Sequence, residues 1–546
     1  EEKEKETGIE EEEKEEELGG FLEIVEAIEW LLLHHIDDAD LLSECCAELK
    51  ASKNHFRGKK CLAASTIKAD TAMIGILLGI VGRHGRVEED LALFEGSLDL
   101  SKIEISLSGE RDLAPLQGMT KLQRLDVTAC AITDTAISSS LESLWHLTTF
   151  IACNNAIGDL RPCAKLYTLT ELDLTGNRSI VSIEPLRGLV GMKTIRLSLC
   201  AITSLGPLQG MRELRSLKAY DNELCSDTQK GVLNDLLSLA MMPYLRDVDL
   251  HNNHIKNAAP LSNLKFYAEN SLHSLHLGNN ALTNLEFLTA PNPARAAVLG
   301  ITTTVSPDGK VLYGEWNNLT SLILQNNHIQ DLSAFAEACL PDLRRLDLSG
   351  QTADPSTSTR DFVLDLSPLA KETLYMPALR VLDLADNELQ SVGKLGSANF
   401  PSLEELDLSH NLLTDVQGLA WDAVDENGER AMGLTRLKLL NLEGNRVQDC
   451  VNLQHLTTLR ELYLNHNCLS GNGVFDMIGK LRDLVELDLT ENKGLKIVDS
   501  DVAWILDEHV PRLSEDSREK LEGMPGHTYA TGGKGLVAGG AKCGCF

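Results

Sequence analysis

The stretch Leu403-Glu-Glu-Leu-Asp-Leu-Ser-His-Asn-Leu-Leu413 decides the fold, because its spacing, L-x-x-L-x-L-x-x-N-x-L, recurs along the chain. The same frame returns at Leu245/Val248/Leu250/Asn253/Ile255, at Leu272/Leu275/Leu277/Asn280/Leu282 and at Leu319/Leu322/Leu324/Asn327/Ile329. The L-x-L core predicts a short strand whose alternate residues point into one core while the residue between them faces the other side. The Asn position predicts a turn out of the strand, where a buried amide satisfies backbone groups that the turn leaves unpaired.

Marking each copy by its second hydrophobe gives positions 103, 125, 150, 172, 195, 217, 248, 275, 322, 346, 382, 406, 440, 462 and 487, fifteen repeats within residues 95–498. The first copy is degenerate, but Ile103 to Met119 aligns without gaps on Ile195 to Met211. Eleven copies carry Asn at the ladder position, and Cys130, Cys200, Gln351 and Ser108 stand there in the others. Cys130 and Cys200 therefore read as small buried ladder residues and not as reactive thiols.

The commonest spacings, 22 to 25 residues, resemble the short class of intracellular leucine-rich repeats. That class is found in the regulatory subunit of protein phosphatase 1, in tubulin-folding cofactors and in an axonemal dynein light chain. The resemblance implies an α/β solenoid, a leucine-rich-repeat horseshoe with a parallel concave sheet. It specifies a scaffold and no particular partner.

Other segments flank the array. Residues 1–18 hold eleven Glu and three Lys and read as an acidic tail. Residues 19–94 show helical patterning, as at Phe21, Ile24, Val25, Ile28 and Leu32, and are expected to form a helical N-terminal cap. Residues 499–525 are expected to give a C-terminal cap helix, drawn from Asp501 to Leu521 with an interruption at Pro511, and 526–546 a flexible Gly-rich tail. Near 291–316 an alternating run Ile301 to Val305, a Ser-Pro-Asp-Gly turn and Val311 to Tyr313 predict an inserted β-hairpin, either a passive decoration or a clamp for a ligand.

Composition narrows the function classes. With 50 basic against 81 acidic residues the formal charge is -31, which disfavours nucleic acid as a partner. Thirteen cysteines, scattered singly apart from Cys45-Cys46 and Cys543-Gly-Cys545 and without the clusters that flank extracellular repeat arrays, fit a reducing compartment, so the expected location is cytoplasmic, with cytoskeletal or ciliary association suggested by the resemblance alone. The apolar run Ala72 to Val81 is far shorter than the ~20 residues of a membrane span.

No catalytic constellation is recognisable, and the chain reads as a non-enzyme without cofactor or metal. Gly532-Gly533-Lys534 is followed by Gly535 where a phosphate-binding loop needs Ser or Thr. Asp425-Glu426-Asn427-Gly428 would need ligands at Ala423 and Leu434 to make a calcium loop. His34, His35, Asp37, Asp38 and Asp40 read as a polar helix end. Of two glycosylation sequons, at Asn177 and Asn318, the first begins on a ladder residue whose amide should be buried.

The residues expected to face outward from the strands carry the functional signal. Asp126, Asp173, Asp249, Asp347, Asp383, Asp407 and Asp488 fill the middle column, a habit of this repeat type. Lys193, Arg196, Arg215, Lys218, Tyr220, Arg246, His251, His273 and His276 break that habit and form a basic island expected to be a partner-binding concave patch. The reading is a protein–protein interaction scaffold or adaptor for one or more large proteins. The rivals are a regulatory subunit of an enzyme such as a phosphatase and a structural component of a cytoskeletal or ciliary assembly. Membrane contact is expected only through a lipid at Cys543, where Cys543-Gly544-Cys545-Phe546 has the outline of a prenylation box with Gly and Cys in the places normally aliphatic.

Overall fold

Leucine spacing becomes structure because a short strand can bury only every second residue, so each repeat needs a neighbour on both sides to close its core. The computed structural model describes residues 96–99, 120–225, 232–266, 272–289, 304–305, 311–312, 316–353, 364–371, 374–420, 422–424, 430–471, 473–495, 510 and 512–522. The chain divides into two compact units, Glu1–Leu319 and Thr320–Phe546.

In the first unit β1 (Gly96–Asp99), β2 (Leu122–Asp126), β3 (Thr149–Ile151), β4 (Glu171–Asp173), β5 (Thr194–Arg196), β6 (Ser216–Lys218), β7 (Asp247–Asp249) and β8 (Ser274–His276) pair in sequence order, all parallel. A separate antiparallel pair, β9 (Thr304–Val305) with β10 (Val311–Leu312), lies within the segment where an inserted hairpin was expected. In the second unit β11 (Ser321–Ile323), β12 (Arg345–Asp347), β13 (Val381–Asp383) and β14 (Glu405–Asp407) form a parallel run. It continues through β17 (Leu439–Asn441), β18 (Glu461–Tyr463) and β19 (Glu486–Asp488). Between them β15 (Asp422–Val424) and β16 (Arg430–Met432) make a second antiparallel hairpin, so the segment weighed above as a calcium loop joins two hairpin arms.

The marker hydrophobes from Leu125 onward stand at the strand centres and are buried, from Leu125, Phe150 and Leu172 to Leu440, Leu462 and Leu487. The first repeat differs from expectation. Its strand is Gly96–Asp99, with Leu98 opposite Leu125, five residues ahead of the marker placed at Ile103. The likeness of Ile103–Met119 to Ile195–Met211 misled the register, because Ser97-Leu98-Asp99-Leu100 already supplies the L-x-L core.

The ladder works as its chemistry requires. Asn411 Nδ2 donates to the carbonyls of Leu384 and Leu408, each at 3.0 Å, and its Oδ1 accepts from Leu389 N at 2.9 Å. Gln351 reproduces this with a longer arm, accepting from Ile329 N at 3.1 Å and donating to Leu324 O at 2.9 Å. Cys130 and Cys200 are buried in the same role, each with its thiol directed at backbone carbonyls. Asn177, the first residue of a sequon, is fully buried, with Nδ2 on Ala152 O and Leu174 O.

One residue before the ladder position the backbone turns left-handed, at Asn154, Asp221, Asn252, Asn279, Asn326, Asp386 and His410 among others. Asn, Asp, Gly and His are the residues that adopt that conformation most readily; Leu199, at φ 56°, is the branched aliphatic one at this position.

At the C-terminal side α1 (Glu515–Glu522) lies on β19. Ser514 N donates to Val485 O at 2.7 Å, Ser517 Oγ accepts from Leu487 N at 3.0 Å, and Leu513 and Leu521 are buried. The acidic tail 1–18, the N-terminal cap 19–94 with its His34–Asp40 cluster, the Gly-rich tail 526–546 and Cys543 lie outside the described residues.

Candidate functional site

The middle-column aspartates have a local task. Asp126 Oδ1 accepts from Thr128 N at 3.1 Å and Thr128 Oγ1 at 2.8 Å; Asp173 does the same with Thr175, Asp347 with Ser349, Asp407 with Ser409 and Asp488 with Thr490. Each carboxylate thus closes the turn leaving its strand. The aspartate habit is structural, which is why it says little about partners.

The basic island sits on β5 to β8 and on the residues just before and just after them. Arg215 N donates to Lys193 O at 2.8 Å, Arg246 N to Arg215 O at 2.7 Å and His273 N to Arg246 O at 2.7 Å. Lys193, Arg215, Arg246 and His273 therefore form one column, held by backbone bonds. A second column runs Arg196, Lys218, Asp249, His276 through the register of β5 to β8. Lys193, Arg215, Lys218 and Arg246 are exposed. Arg196 is not free: its Nη1 lies 2.8 Å from Glu171 Oε1 and 3.6 Å from Asp173 Oδ2, so two acids on β4 neutralise it.

Three of the expected residues stack. The Tyr220 and His251 rings lie 4.5 Å apart at 12°, and His251 and His276 4.4 Å apart at 23°. Both imidazoles reach one acceptor: His251 Nδ1 is 2.7 Å and His276 Nδ1 3.2 Å from Asp249 Oδ1. Burial alone would raise the Asp249 pKa, but the hydrogen bonds and charges of His276 and His251 outweigh it and bring it to about 2. Sequence reading named the rings and set Asp249 aside with the other aspartates. The available signal was His251, which replaces the Ser or Thr found two residues after Asp in five other repeats.

Among the described residues the buried thiols are unreactive. Burial pushes the thiols of Cys163 and Cys450 up to about 12 and that of Cys200 up to about 11, where thiolate nucleophiles are scarce. On the second unit burial raises Asp383 to about 6, with Asp347 and Asp407 on the flanking strands adding to it against Arg345. Among the described residues no helix is long and apolar enough to cross a membrane.

Comparison with known proteins meets this geometry at the repeat. The family description "Leucine Rich repeats (2 copies)" matches residues 317–357 and 377–421, and "Leucine Rich repeat" matches 455–477. Each unit is a leucine-rich-repeat solenoid. A leucine-rich-repeat protein of Leptospira interrogans superposes with a TM-score of 0.50 at 18% identity, covering 78% of this chain and 92% of its own, and so shares the fold. Human podocan-like protein 1 is 29% identical over 224 residues, 35% of this chain and 43% of its own length. The mouse transforming growth factor beta activator LRRC32 is 31% identical over 186 residues, 31% of this chain and 27% of its own. The leucine-rich repeats thus span less than half the length of these curated relatives.

Proposed function

We propose that the chain is a non-catalytic scaffold or adaptor that holds an acidic protein surface on the open, concave face of the first unit, within the cytoplasm. One observation carries this reading: four exposed cations, Lys193, Arg215, Lys218 and Arg246, project from backbone locked by interstrand bonds and flank the ring stack of Tyr220, His251 and His276. In a chain of charge -31 such a cluster steers an acidic partner, and rigid Arg and Tyr side chains are the types that carry binding energy. Eight strands spaced about 4.8 Å apart offer a face on the order of 35–40 Å long, room for a folded partner. The relatives' repeats, named for a growth-factor activator in one case, are compatible with protein capture. Singly buried thiols at Cys163, Cys200 and Cys450 support the cytoplasmic reading.

The test is charge reversal. Arg215→Glu, Lys218→Glu and Arg246→Glu together should abolish recovery of a partner that wild type retains in affinity purification, with circular dichroism unchanged. Arg196 stays as it is, since reversing it would set three acids against one another. Retention of the same partner by the folded triple variant would move the binding site off this face.

A further inference from the structure

We propose that Asp249, His251 and His276 form a binding site for one divalent ion of the Zn²⁺ class. Their ligand atoms lie within 4.8 Å of one another, and all three residues are half-buried. The fold sets them there: the register of β7 and β8 places Asp249 opposite His276, and His251 follows two residues along on the same face. All three side chains start from backbone fixed by the parallel ladder, so little ordering remains for an ion to impose.

The donor set is two imidazole nitrogens and one carboxylate oxygen. Zn²⁺ favours such a set, and three protein ligands leave its fourth position open toward the face where a partner is proposed to lie. Imidazole donors select the later first-row metals over Ca²⁺ and Mg²⁺, which prefer oxygen alone. The departure from the repeat's habit points the same way. Asp-x-Ser or Asp-x-Thr closes the turn at Asp126, Asp173, Asp347, Asp407 and Asp488, and a hydroxyl suffices there. In this repeat an imidazole replaces the hydroxyl and a second imidazole arrives in register from the next strand. A turn needs neither.

Occupancy calls for small movements. Tetrahedral Zn²⁺ with bonds of ~2.0–2.1 Å separates its ligand atoms by about 3.3 Å. The His276 to Asp249 distance of 3.2 Å already fits, and the 2.7 Å from His251 must open. Stacked rings do not aim at one point in both their planes, so His276, at the end of the stack, turns about its own side-chain bonds. Each neutral imidazole shifts its Nδ1 proton to Nε2, freeing Nδ1 for the metal. Lys218, opposite Asp249 in the register, sets a like charge on the neighbouring strand and so weakens the hold on a cation.

Co²⁺ tests this on the full-length chain after chelator treatment. One equivalent should give a saturable d–d absorption without a thiolate charge-transfer band, a distinction needed because the chain has 13 cysteines. Zn²⁺ should bleach that absorption. His276→Gln and His251→Thr, each folded by circular dichroism, should weaken Co²⁺ binding by more than about tenfold, the range in which loss of even an outer ligand partner falls. Absence of a one-equivalent band, a band with thiolate character, or a band that survives both substitutions overturns the site. None of these results bears on the charge-reversal test, which leaves all three ligands in place.

Discussion

His251 holds, beside Asp249, the place that a serine or threonine hydroxyl holds beside the aspartate of five other repeats, and its Nδ1 makes the same bond at 2.7 Å. Restoring the repeat's own habit keeps that bond but removes the ring held between Tyr220 and His276. His251→Thr is therefore expected to lower unfolding free energy by about 0.5–1.5 kcal/mol, the range for a lost ring stack. Asp249→Ala should cost about 1–2 kcal/mol, because the turn loses a charged acceptor. Equal denaturation midpoints for Asp249→Ala and wild type would show that the carboxylate does not close the turn.

The ladder makes a larger demand. Asn411→Leu leaves the carbonyls of Leu384 and Leu408 and the amide of Leu389 without their side-chain partner in a buried setting. A loss of at least about 2 kcal/mol is expected, in the range for orphaned buried polar groups. Urea denaturation measures it, and a loss no larger than that of an exposed substitution would contradict the register of β13 and β14.

Leu199 offers a gain. Its φ of 56° is one that a branched side chain adopts at a cost, while Asn or Asp holds the equivalent place in many repeats. Leu199→Asn should raise stability by about 0.5–1 kcal/mol without disturbing the bond from its amide to Tyr220 O. Thermal unfolding at fixed protein concentration reads the change, and a fall in midpoint would mean that Leu199 contributes more by packing than it loses in backbone conformation.

Asp383 makes the second unit sensitive to pH. Burial and the neighbouring carboxylates of Asp347 and Asp407 raise its pKa from 3.8 to about 6. A carboxyl whose pKa is higher folded than unfolded binds its proton more tightly when folded, so this contribution is fully present below about pH 4 and is lost as pH rises through about 6. Asp383→Asn should accordingly stabilise the protein at pH 7 more than at pH 4.5. Identical midpoint differences at the two values would remove the effect from Asp383.

Much of this was legible in the chain, for a reason that also marks where reading fails. Leu-x-Leu followed by Asn repeats because every copy must bury the same leucines and satisfy the same turn, so the strand centres from Leu125 to Leu487 were readable. Position one was misplaced because Ile103–Met119 resembles a later repeat outside its strand core, whereas the strand needs only Ser97-Leu98-Asp99. The hairpin of β15 and β16 was missed because Asp425-Glu426-Asn427-Gly428 was weighed for ion ligands, although Asn-Gly between extended arms is the stronger turn signal. Among side chains, the basic island could be listed from its spacing. That Arg196 is neutralised by Glu171 could not, and neither could the meeting of two imidazoles at Asp249, since both depend on rotamers chosen across strands.

The helix α1 covers an edge of the sheet. A parallel sheet is never finished by its own logic: the outer strand always presents donors and acceptors to which another chain could add. Ser514 and Ser517 occupy those groups on Val485 and Leu487, and Lys520 places its ammonium 3.1 Å from Asp488 on the same strand. The segment thus takes up backbone groups of β19 with which a strand from a second molecule would otherwise pair.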